Sequence, residues 1–241
     1  NTWKISIMNM NLFESSPKDV TRLILVRHGR TSANQAGRIG AIKDYPLDET
    51  GKEQAARVAR RLKRDFPIAV IYASPILRTK QTAQAVADEF GLGDIQFRDE
   101  LKEYYFGMAA DHTMEEIKEE NEAVYNEMIA WMNMEPSQPA THLNIPGAEL
   151  YEDFEARIRR FTAEILEKNP GQVVCAVTHM SLIKGFMAVH FGSGIQQRMN
   201  FNALNTSLTI IDFYKKIPVL AAFNDISHLD MPYPYGRVNL L

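Results

Sequence analysis

The chain has 241 residues with 27 basic and 30 acidic side chains, a formal net charge of −3. That length suits one α/β domain carrying an insertion, large enough to bury roughly 70% of its unfolded surface without a staple. The balanced charge argues against nucleic-acid binding, which needs a basic face, and the lone cysteine, Cys175, can form neither an internal disulfide nor a thiolate metal cluster.

The start, Asn1 to Phe13, has one Lys and no long apolar stretch, so it makes a poor signal peptide and a cytoplasmic location is expected. No apolar run approaches the roughly 20 residues needed to cross a bilayer. Glu14 to Asp19 is loop-like. Leu23-Ile24-Leu25-Val26 is a short continuous apolar run, as in a strand buried on both faces. Thr50-Gly51-Lys52-Glu53 reads as a capping box opening a helix with Ala55, Val58, Ala59 and Leu62 on its apolar face. Ala69 to Tyr72 is a second strand, and a helix runs from about Arg78 to Phe90, stopping at Gly91. Thr113-Met114-Glu115-Glu116 is a second capping box, followed by a helix rich in Glu, Met and aromatics; Pro136, Pro139 and Pro146 then break the chain. A further helix carries Phe154, Ile158, Phe161 and Ile165 on one face, as core residues do. The strand Val173 to Val177, with Cys175 buried in it, the helix Ser181 to Phe191, and two hairpin strands, Ser207 to Phe213 and Pro218 to Phe223, complete the chain. The alternation predicts an α/β fold: three layers, α/β/α, around a mostly parallel sheet, with ligands beyond the carboxyl ends of the strands.

Two histidines stand just past predicted strands, His28 after Leu23 to Arg27 and His179 after Val173 to Thr178, so both open onto one sheet edge. Gly29 is expected to let the backbone turn sharply beside His28. Arg27, His28, Arg78 and His179 make a coherent phosphate pocket. Arginines supply planar, permanent charge for phosphoryl oxygens. A neutral imidazole is a competent nucleophile, and a second can donate to the same oxygens. A proton donor for the leaving alkoxide is still needed. Glu103, after the apolar Leu101, is the candidate, as a partly buried carboxyl able to carry that proton, with Glu100 as its competitor.

The run Arg27-His28-Gly29-Arg30-Thr31-Ser32-Ala33-Asn34 resembles the signature of the histidine phosphatase superfamily, the phosphoglycerate-mutase-like group. Ser74 to Ala83 is similar to its second-arginine motif, Leu101-Lys102-Glu103 through Gly107 to its acid motif, Pro146 to Glu149 with Arg157 to a downstream segment, and Val177-Thr178-His179 to its second histidine. Asn205 to Ser207 and Asn224 to Leu229 fit its closing strands. The ordered set is far more specific than any one motif.

The resemblance implies His28 as the phosphorylated nucleophile, Arg27, Arg78 and His179 as phosphate ligands, Glu103 as proton donor and Asn34 as a donor to substrate, with no metal and no cofactor. It also implies a histidine phosphatase domain over 21–241, after an extension over 1–20, with a lid insertion over about 104–150. The expected partner is a small-molecule phosphoester; nucleic acid and membrane are not expected, and a homodimer is left open.

Three positions depart from the family's pattern: Arg30 stands where Glu or Gln is common, Met108-Ala109-Ala110-Asp111 replaces a Trp, Glu and Gly continuation, and Met180 replaces a small residue. The remaining charged and histidine positions read as structural: Arg60, Arg61, Lys63 and Arg64 as a solvated helix face, His112 and His142 as loop histidines within reach of substrate, and His190 and His228 as packing residues.

Phosphatase and mutase share this chemistry. From Tyr104 to Ala156 there is no Arg and one Lys, Lys118, among many acids, which suits a substrate carboxylate poorly. The same span offers Tyr104, Tyr105, Phe106, Met108, Tyr125, Met128, Trp131 and Met132 for an apolar rim. A phosphomonoester hydrolase is therefore expected ahead of a phosphoglycerate-mutase-type transferase or a catalytically weak binding protein on the same fold.

Overall fold

The computed structural model describes residues 20–40, 42–133, 143–192, 201–214 and 216–230. The extension before Val20 and His142 lie outside the described residues. In chain order the elements are β1 (Val20–Arg27), α1 (Ser32–Gln35), α2 (Glu49–Asp65), β2 (Ile68–Ala73), α3 (Leu77–Phe90), β3 (Ile95–Phe97), α4 (Met114–Glu120), α5 (Glu122–Met132), α6 (Tyr151–Lys168), β4 (Val173–Thr178), α7 (Met180–Phe191), β5 (Leu208–Tyr214) and β6 (Ile217–Asp225). Two single 3-10 turns, Asp99–Leu101 and Gly107–Ala109, lie between β3 and α4.

The sheet order is β3-β2-β4-β1-β5-β6. The β3-β2, β2-β4 and β4-β1 pairs are parallel; the β1-β5 and β5-β6 pairs are antiparallel. The apolar runs of β1 and β4 are continuous because both sheet faces are covered. Leu23 and Leu25 face a core shared with Phe154, Ile158, Phe161 and Ile165 of α6 and with Leu182, Ile183 and Phe186 of α7. Ile24 and Val26 face Val58, Ala59 and Leu62 of α2 and Ala83, Val86 and Ala87 of α3. Cys175 is buried in that second core, and burial pushes its thiol up to about 12.

Some local expectations shift. Helix α2 is capped by Asp48, whose Oδ1 accepts from Gly51 N at 2.7 Å, and not by Thr50. The α4 capping box on Thr113 and Glu116 has both of its bonds. Strand β3 and the one-turn helix α1 are additions. The apolar rim largely dissolves into core: Tyr104, Phe106 and Met128 are buried, Tyr125, Trp131 and Met132 pack against them, and only Tyr105 and Met108 stay exposed.

Candidate active site

Arg27 ends β1 and Thr178 ends β4, and the two residues are register partners in adjacent parallel strands. The next residue along each strand is therefore brought beside the other. The rings of His28 and His179 lie edge to face with centroids 5.2 Å apart. Arg78, in the first turn of α3, joins them: its Nε donates to His28 Nε2 at 3.2 Å and its Nη2 to His179 Nδ1 at 3.1 Å. A guanidinium only donates, so both ring nitrogens facing it are acceptors. That network assigns the protons. His28 Nδ1–H donates to Gly29 O at 2.8 Å, and His179 Nε2–H donates to Ser74 Oγ at 2.9 Å.

Arg27 completes the cluster. Its Nη1 donates to Ala203 O at 2.7 Å and approaches Met180 Sδ at 3.8 Å, while its buried Nε has no protein partner among the described residues. Burial, opposed by Glu103, pulls the Arg27 guanidinium down to about 10, still well above neutral pH, and also lowers that of Arg78. Two cations gathered out of water are relieved by an anion with several acceptor oxygens.

Burial, then Arg78, then Arg27 hold His28 well below the usual 6.5; burial and Arg78 do the same for His179. His190 and His228 are pulled down to about 4, first by burial. Unfolded, all four imidazoles take up protons near 6.5; folded, they do not. Their contribution to stability is therefore complete above about 6.5 and lost as the pH falls below it. Thermal unfolding in phosphate-free buffer is expected to show a Tm that declines from about pH 6.5 to 5; a flat Tm there would contradict neutral burial.

The loop bearing His28 is held by two side chains from other parts of the chain. Thr82 Oγ1 accepts from Gly29 N at 3.0 Å, and Asn205 Nδ2 donates to His28 O at 2.9 Å. Gly29 does not have the positive φ that a sharp turn would require. Its reason is closeness: a Cβ there would lie 2.5 Å from Gly51 O, a backbone atom fixed at the start of α2. Gly29→Ala is expected to cost ~1–3 kcal/mol in urea unfolding and to lower activity by moving His28; unchanged stability would refute the close-packing account.

Asn34 uses its side-chain oxygen locally, accepting from Thr31 N, Thr31 Oγ1 and Asn205 Nδ2 at 3.1–3.3 Å. Glu103 receives Tyr104 N at 2.9 Å and Ser181 N, in the first turn of α7, at 3.1 Å. Its charge acts on both Arg27 and Arg78. Glu100 instead lies 3.6 Å from Arg160. Arg30 is committed to Asp48 and Thr50, at 2.8 Å each. His112 bonds Ala110 O, and His190 and His228 bond Thr162 and Thr206. The structure thus brings Arg27, His28, Arg78 and His179 together with Glu103 beside them. It adds Ser74, Thr82 and Asn205 as supports, the first two within the segment around Arg78.

No helix among the described residues is long and apolar enough to cross a membrane. The chain is 26% identical to phosphoglycerate mutase-like protein 4 of Arabidopsis thaliana, over 92% of its own length and 93% of that protein's. It is 28% identical to a metal-independent phosphoserine phosphatase of the same plant, over 88% and 84% of the two chains. Among solved structures, the phosphoserine phosphatase of Entamoeba histolytica in complex with 3-phosphoglyceric acid superposes with a TM-score of 0.73 at 26% identity, covering 86% of this chain and 98% of that one. The family model described as histidine phosphatase superfamily (branch 1) matches residues 23–226, and the protein belongs to that superfamily.

Proposed function

We propose that the protein is a metal-independent phosphomonoester hydrolase that takes the phosphoryl group of a small organic phosphate onto His28 Nε2 and passes it to water. The observation that carries this reading is Arg78 donating to His28 Nε2 and His179 Nδ1 at once, with Arg27 beside them. Phosphoryl oxygens entering this cluster would take over the guanidinium donors. The Nδ1–H bond to Gly29 O fixes the tautomer that leaves the Nε2 lone pair for attack on phosphorus. As the P–O bond breaks, the leaving oxygen needs a proton, and Glu103 would give it; the resulting carboxylate would then take a proton from the attacking water. In each step charge builds on equatorial oxygens, where Arg27 and Arg78 stabilise it, and where His179, neutral in the free protein, would donate once it has taken a proton from the entering phosphate monoanion.

Relatives named as phosphoserine phosphatases make phosphoserine the first substrate to try. A mutase must also bind the substrate carboxylate. Arg30, the first cation after His28 in the chain, is engaged with Asp48, and Lys118 sits over the Tyr125 ring at 5.5 Å. Supplied with phosphoserine and an aryl phosphate in the presence of a chelator, the protein is expected to release phosphate. With 3-phosphoglycerate and a bisphosphoglycerate primer it should form little 2-phosphoglycerate. Efficient primer-dependent isomerisation would replace the hydrolase with a mutase; no turnover on any ester would leave a binding protein.

A further inference from the structure

Glu103 sits in irregular chain just after a 3-10 turn, so no helix or strand fixes its backbone. What fixes it comes from α6. Arg157 is 7% exposed, and its Nη1 donates to Glu100 O and Lys102 O at 2.7 Å each. Its Nη2 donates to Glu103 O at 3.1 Å and to Glu149 Oε2 at 3.0 Å, and its Nε donates to Glu149 Oε1 at 2.7 Å. Glu149 closes the ring from the other side: Tyr105 N donates to its Oε2 at 3.3 Å, and its own N donates to Tyr105 O at 2.8 Å.

We infer that Arg157 and Glu149 are the positioning pair for the Glu103 carboxylate, setting where the proton donor stands relative to the leaving group. The inference rests on Glu103 being that donor. A buried ion pair could tie α6 to any loop, but this one grips carbonyls around a single residue, including that residue's own. The flat guanidinium fork is what spans three carbonyls and a carboxylate together; the ammonium of a lysine is a single point and cannot. Thr178 Oγ1, at the end of β4, donates to Leu101 O at 2.8 Å, which ties the same loop to the strand that carries His179.

The test compares Arg157→Lys and Glu149→Gln with Glu103→Gln on an alkyl phosphate and on an aryl phosphate with a good leaving group. Displacing a catalytic group by about 1 Å can cost on the order of 10²-fold. Each positioning variant is therefore expected to lower alkyl kcat/KM, which reports the transfer to His28 and not the later attack of water, by about 10- to 100-fold and aryl kcat/KM by less than about threefold. Adding Arg157→Lys to Glu103→Gln should cause no further alkyl-selective loss, because the two act through one carboxylate. The aryl rate also reports whether each variant is folded, and Glu149→Gln, which keeps the arginine, decides the matter where Arg157→Lys fails to fold. Equal losses on both esters, no loss, or additive losses in the double variant would overturn the inference. If Glu103→Gln is leaving-group selective and the pair is not, only the inference fails. If Glu103→Gln itself shows no selectivity, the donor role of Glu103 has failed, and the inference with it.

Discussion

His28→Ala is expected to lower turnover by on the order of 10⁴-fold or more while leaving a folded protein. The loss is large because the imidazole is the attacking atom's carrier and not one of several charge stabilisers. Water would have to attack a phosphoryl group held by Arg27, Arg78 and His179 with no covalent step to divide the barrier. The fold should survive because the substitution removes no charge pair: the ring is buried and neutral, and its bonds are to Gly29 O and Arg78. Steady-state phosphate release and thermal unfolding, measured together, check both halves. Turnover within about tenfold of the parent protein would remove His28 from the mechanism.

Glu103→Gln is expected to be selective. Measured as kcat/KM, which reports the transfer to His28 and not the later attack of water, alkyl phosphates should slow by about 10²–10⁴-fold, and aryl phosphates with a stabilised phenolate much less, since a phenolate departs without a proton. The amide keeps the size of the side chain, and its oxygen can still accept from Tyr104 N and Ser181 N, so the loop stays in place while the transferable proton is lost. Stopped-flow rates on a series of esters of graded leaving-group pKa would show a steeper dependence in the variant. Parallel lines would assign Glu103 a structural role.

The frame of the fold was legible wherever burial acts on a whole element. Leu23 to Val26 and Val173 to Val177 had to be strands buried on both faces, and Phe154, Ile158, Phe161 and Ile165 had to face a core. The pairing of His28 with His179 was legible for the same reason, since two parallel strands end at one edge. Strand β3 was not, because Ile95–Phe97 is three residues at the sheet edge and none of them is buried. The α2 cap moved to Asp48 because both Asp48 and Thr50 are competent caps, and Thr50 is used by Arg30 instead. Sequence spacing could not separate pocket-lining from core apolar side chains in Tyr104, Phe106 and Met128, which have the same chemistry in either place. The supports were the least visible part: Asn205 holds a carbonyl 177 positions away, and Arg157 grips carbonyls more than 50 positions away. Such bonds leave no local pattern.

The central claim is that phosphate passes through His28. Rapid mixing with a 32P-labelled phosphoester, followed by an alkaline quench, should trap label on the protein at up to about one phosphoryl group per chain. That label should survive base, leave in acid, map to the peptide containing His28, and be absent from the His28→Ala protein. Both His28 and His179 turn an unprotonated ring nitrogen toward Arg78, so the peptide assignment decides between them. Label on the His179 peptide, or product formed at full rate with no trapped phosphohistidine, would contradict the account.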